Sequence, residues 1–147
     1  MSKSNSLEAD FMKLLFQNVA MALVGDAAGL QPSAAAGSLY VGLHTADPGE
    51  AGDQTTNEAT YTGYARVAVT RSAGGWTVSG TAPTQVANVG AVTFGACTAG
   101  TSVVTHFSVG TSPSGAGKLL YSGTASLSVS SGITPSFPAG SLIITED

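Results

Sequence analysis

A chain of 147 residues can bury roughly 68–70% of the surface that its unfolded form exposes, so a core is attainable without metal or disulfide staples. Hydrophobic residues make up 43% of it and the mean hydropathy is +0.24, which excludes intrinsic disorder. Charged residues are only 10%, against about 25% in an ordinary soluble domain. The net charge is −4, and the five basic residues, Lys3, Lys13, Arg66, Arg71 and Lys118, are scattered, which excludes a nucleic-acid grip built on clustered cations.

The first element in chain order is a helix over residues 7–24, inside an N-terminal segment 5–25. Leu7, Phe11, Leu14, Leu15, Val19, Ala22 and Leu23 recur there at three- and four-residue spacing. Asn5 is the expected N-cap, Glu8 its capping-box partner, and Gly25 the left-handed residue that ends the helix. Met12 and Phe16 widen the apolar face, so cover is expected on two sides, from the chain's own sheet and from a neighbouring subunit. The plainer arrangement is a helix lying across one sheet. The apolar run from Leu14 to Val24 is too short for a bilayer, which takes about 20 residues, so no membrane partner is expected. Glu8 and Asp10 stand where a signal peptide would be basic, so synthesis in the cytoplasm is expected.

Residues 25–37 are rich in Ala, Gly and Pro and read as a linker. The period then changes to two: Leu39, Val41 and Leu43 alternate with Tyr40, Gly42 and His44 in a half-buried strand. Asp47-Pro48-Gly49 is a turn signature that opens a polar segment over residues 45–61, a surface arm or ordered loop carrying Glu50, Asp53 and Glu58. Further strands are expected at 64–71, 76–80, 91–96, 102–109, 118–122, 125–129 and 141–146, separated by Gly- and Ser-rich turns. With the first strand this makes eight, in a single mainly β domain over 1–147 with the β part at 38–147: a sandwich, jelly roll or barrel. Cys97 lies alone in an apolar, small-residue stretch and reads as a buried, inert thiol.

No catalytic constellation stands out. His44 and His106 sit in strands and suit cross-strand polar roles, and no G-x-S-x-G elbow is present. The stretch from Gly110 to Lys118 imitates a phosphate loop, but Ser112 stands where the first glycine belongs and Leu119 replaces the metal-binding hydroxyl, so it reads as a hairpin loop. Asp47, Glu50 and Asp53 could approach a calcium ion, yet their spacing matches no EF-hand and solvated loop acids are the simpler reading. No cofactor and no metal are expected. Tyr40, Tyr61, Tyr64 and Trp76 could serve as stacking platforms in a carbohydrate-binding module, or as core and interface packing.

The stretch from Leu39 to Glu50, followed by Thr62-Gly-Tyr-Ala-Arg-Val67, resembles small virion structural proteins of tailed bacteriophages. Thr105-His-Phe-Ser108, Gly117-Lys-Leu-Leu-Tyr-Ser-Gly123, Gly132-Ile-Thr-Pro135 and Phe137-Pro-Ala-Gly140 fit the same group. The resemblance implies a jelly-roll-like β-sandwich and a capsid cement or decoration protein, although relatives often carry a tail-fibre label. The chain lacks the extended repeat or coiled-coil stalk expected of a fibre, which points to cement on the capsid exterior, with the major capsid protein and copies of itself as partners. A tail or tail-fibre component is the alternative. The contact residues expected for the cement role are Phe11, Met12, Leu15, Phe16 and Val19 on the helix, and Asp47, Pro48, Glu50, Asp53 and Tyr61 in the polar segment.

Overall fold

A computed structural model describes residues 2–146. They form one helix, α1 (Asn5–Gln17), and nine strands: β1 (Ser38–His44), β2 (Val67–Thr70), β3 (Trp76–Ser79), β4 (Thr84–Asn88), β5 (Val92–Thr93), β6 (Thr101–Gly110), β7 (Leu119–Ser130), β8 (Ser136–Phe137) and β9 (Ile143–Glu146). The mainly β class with an N-terminal helix, expected from the periodicity, is what folds. The chain divides into two compact units: one takes the residues up to Ser38, Thr70–Ala91 and those from Pro138 onward, the other Leu39–Val69 and Val92–Phe137.

In the first unit, α1 packs on an antiparallel sheet of order β3-β4-β9. Glu8, Met12 and Phe16 recur every four residues and form the buried stripe, with the Phe16 ring edge-on to Trp76 at 5.1 Å between centroids. Val86, Leu142 and Ile144 complete this core. Ser4, not Asn5, is the N-cap, its hydroxyl accepting from the Leu7 amide at 3.4 Å. Glu8 is accordingly not a capping-box partner; it is buried and accepts a long 3.5 Å hydrogen bond from Thr84.

The helix ends seven residues before the expected 24, at Gln17, because Asn18 takes the left-handed conformation and its amide closes on the Lys13 carbonyl. The Asn18 side chain exchanges two 2.9 Å hydrogen bonds with the Ser33 backbone, which draws the returning segment against the helix end. Arg71 supplies the cation that the last turn lacks, donating to the Leu15 and Leu14 carbonyls at 2.7 and 2.8 Å. Residues 18–25 are then free of helix, and Met21 pairs with Leu30 in an isolated bridge.

In the second unit, an antiparallel sheet of order β2-β1-β6-β7 is faced by the β5–β8 ribbon. Phe107 of β6 meets Phe137 of β8 at 5.9 Å, Phe137 meets Phe94 at 6.1 Å, and Phe94 stacks on Tyr64 at 6.2 Å, so an aromatic chain fills the space between the two layers. Cys97 is buried here.

Two of the expected strands, 118–122 and 125–129, are one strand, β7. Gly123, which reads as a break, is an accommodation: a Cβ there would stand 2.7 Å from the Phe107 ring. The strand expected at 64–71 shrinks to Val67–Thr70 because Tyr64 and Arg66 are engaged in a side-chain network. β4 and β8 were not expected from the sequence; β4 follows Pro83 and contains one large aliphatic residue, Val86, and β8 is two residues long.

Candidate functional site

The polar segment between β1 and β2 is an ordered loop, built around a buried polar cluster in the second unit. Gln54 is fully buried and lies over Gly110 and Gly117, both of which leave no room for a Cβ beneath it. Its Oε1 accepts from the Ser112 amide at 2.8 Å, and its backbone N–H donates to the Gly117 carbonyl at 3.0 Å. The strand-like pairings Thr45 N–H to Asn57 O and Ala59 N–H to Leu43 O, each 2.8 Å, fasten the two ends.

Beside it, Arg66 forks onto Glu58, with Nε donating to Oε1 at 2.6 Å and Nη2 to Oε2 at 2.8 Å. The remaining guanidinium donors reach the Ser112 and Gly115 carbonyls at 3.0 and 2.9 Å, so one side chain ties this loop to the β6–β7 hairpin loop. Burial works against the Arg66 charge, and the hydrogen bonds and charge of Glu58 outweigh it. Tyr64 donates to Glu58 Oε1 at 2.9 Å and accepts from the Leu43 amide at 3.0 Å; burial and the nearby carboxylate hold its hydroxyl far above the usual tyrosine range.

His44 lies between the Thr56 carbonyl and the Ser108 hydroxyl, 2.7 Å from each. The carbonyl takes the Nδ1 proton, which leaves Nε2 to accept from Ser108. This is a serine–histidine pair with a carbonyl where a catalytic acid would orient the ring. Both residues have zero exposure, so no substrate reaches the hydroxyl in this conformation. Burial lowers the His44 pKa, only partly opposed by the Thr56 hydrogen bond and the Glu58 charge.

The acids expected at the contact surface have local duties. Asp47 Oδ1 accepts from the Gly49 amide at 2.9 Å, and Asp53 Oδ1 accepts from the Thr55 amide and hydroxyl at 2.7 and 2.6 Å, which hold its carboxyl below the usual range. Among the described residues no group of three or more His, Cys, Asp or Glu side chains converges as a metal site would require. Asp47 and Glu50 are exposed on one wall of an open groove whose other wall is Leu119–Ser122, whereas Pro48 and Tyr61 are buried. The Tyr61 hydroxyl donates to the Gly95 carbonyl at 3.0 Å, so this ring is core.

In the first unit the helix sorts its apolar residues onto two faces. Met12 and Phe16, expected as contacts, are core residues instead, because their four-residue spacing from Glu8 turns them toward Trp76. Leu15 is half-buried, and Leu7, Phe11 and Val19 are exposed. With Leu23, 80% exposed, and Val24 and Leu30, they leave six large apolar side chains uncovered within residues 7–30. Trp76 is buried and cannot stack on a sugar, and neither can Tyr61. The sequence reading missed Gln54, Glu58, Tyr64 and Arg66 as a unit. The available signal was one of only two arginines in a nearly charge-free β region, with an acid eight residues upstream.

No helix among the described residues is long and apolar enough to cross a membrane. Fold and surfaces together define a mainly β protein whose polar interior is sealed and whose apolar N-terminal surface is open. The family model described as podophage GP4 fiber I protein gp80 matches residues 2–145, and the chain belongs to that family. It is therefore a phage structural protein of the fibre-related kind. A search of curated proteins finds no match to the chain.

Proposed function

We propose that this chain is a non-catalytic component of the fibre apparatus of a phage virion, docked on its neighbours through the open apolar surface of residues 7–30. The membership of a fibre-protein family over residues 2–145 carries the reading. It outweighs the lack of a stalk or repeat, which favoured capsid cement, because a compact subunit can form the base or collar of a fibre whose shaft is another chain. The exposure of Leu7, Phe11, Val19, Leu23, Val24 and Leu30 supports docking through the N-terminal segment. The sealed Ser108–His44 pair supports the absence of catalysis.

Quantitative mass spectrometry of purified virions tests the proposal. A copy number commensurate with the tail's symmetry, together with co-purification with tails in a head-defective background, is the expected result. A copy number commensurate with the capsid lattice would replace it with cement on the capsid exterior, partnered by the major capsid protein.

A further inference from the structure

At 12 residues β7 is the longest strand of the molecule, and it closes the four-stranded sheet on one side. β6 lies against one of its edges, and among the described residues no strand lies against the other. Such an edge presents alternate N–H and C=O groups outward, a template for adding another strand. Free edges are ordinarily protected by shortness, lysine, proline or inward charge. β2, β3 and β9 have four residues each, and β9 carries Glu146; β7 has neither a charged residue nor a proline. The register with β6 shifts near the start of the strand, between Val109 and Gly110, and a bulge between Val104 and His106 bends its middle. It leaves a regular reach on either side, Leu127–Ser130 against β6 residues Val104–Thr101, and Tyr121–Thr124 against Val109–His106. Ser122, Thr124, Ser126, Ser128 and Ser130 are exposed, and the residues between them are only half-covered until Val129.

We infer that the outer edge of β7 pairs antiparallel with β7 of a second copy of this chain, continuing the sheet across a twofold seam. The strand's charge pattern selects this occupant. In a twofold antiparallel pair the strand meets itself, so a lysine or glutamate close to the axis would be set against its own like-charged counterpart, and a strand with no charge at all is free of that repulsion wherever the axis falls. A seam for a foreign strand would gain specificity from charges matched to that partner. β7 has no charge to repel its copy, and its exposed positions are all hydroxyl side chains, which donate and accept equally and so can pair with themselves. The seam stands independently of the fibre reading, since it rests on the edge alone.

Sedimentation velocity of the full chain over a concentration series tests it, with Ser128→Lys and Ser126→Pro beside wild type. Wild type is expected to show a concentration-dependent dimer that both variants abolish, while Ser114→Lys in the β6–β7 loop retains it. Ser126→Pro can disturb folding, so Ser128→Lys, with an unchanged circular dichroism spectrum, is the deciding variant. Amide exchange along β7 in wild type should slow as concentration rises. A wild type that is monomeric at every attainable concentration, or a dimer that Ser128→Lys leaves intact, overturns the inference, whatever foreign strand the edge then proves to hold.

Discussion

Truncating Glu58 to alanine removes the acceptor of two short charge-assisted hydrogen bonds from Arg66 and of the Tyr64 hydroxyl. The Arg66 side chain is 1% exposed and keeps only the Ser112 and Gly115 carbonyls, so its charge is left buried and half-compensated. Breaking a buried ion pair from one side costs about 3–5 kcal/mol. Glu58 is itself 17% exposed, so water can enter where the carboxylate stood, which places the loss near the lower end, about 3 kcal/mol. For a chain of this size that is a fall of about 10 °C in Tm. Urea unfolding followed by far-UV circular dichroism measures the loss, and a double-mutant cycle with Arg66→Met isolates the pair. The double variant should be less destabilised than the two single losses summed, because removing both partners leaves no orphaned charge. A loss under about 1 kcal/mol, or strict additivity in the cycle, would show that the loop is held by its backbone pairings and Gln54 alone.

Two more outcomes follow from the same unit. The folded pKa of His44 lies below the ordinary 6.5, so the unfolded chain takes up the proton first; His44's contribution is complete above that value and is lost as pH falls below it. The urea midpoint should therefore drop on moderate acidification, and NMR should show His44 titrating below the ordinary histidine value; titration at or above it would refute this. Gly123→Ala puts a methyl 2.7–2.8 Å from two carbons of a Phe107 ring already backed by Phe137, an overpacking cost of about 1–3 kcal/mol. Thermal melting should register it, and Phe107→Leu in the same chain should recover part of it; a melting temperature unchanged by Gly123→Ala alone would mean that the ring moves aside freely.

The class of fold was legible because it depends on local periodicity. The two-residue alternation of Leu39, Val41 and Leu43 and the turn residues between later strands are short-range properties; the alternation survives as β1 and the turns survive except the break at Gly123. The start of the helix was legible to within two residues for the same reason, as was the low charge density. The candidate site was legible only as a region: the apolar N-terminal segment and the 45–61 loop are where the pattern placed them, but which side chains face outward was not. Met12 and Phe16 are as apolar as Leu7 and Phe11, and only the position of Trp76 on β3 decides which pair is buried.

What the tertiary structure alone decided involves partners distant in sequence. The helix stops at Gln17 because Ser33 and Arg71 come to meet it, although the apolar spacing runs on to Leu23. β7 runs through Gly123 because the Phe107 ring needs the space that a side chain would fill, and a glycine read in isolation signals a turn. The hold of Arg66 on the Ser112 and Gly115 carbonyls and the bed of Gln54 on Gly110 and Gly117 arise from loops up to 63 residues apart in the sequence being folded together. Hydrophobic periodicity records which residues avoid water, but it carries no information about which distant groups complete a hydrogen bond or fill a gap, and those pairings are what shape the surface left for partners.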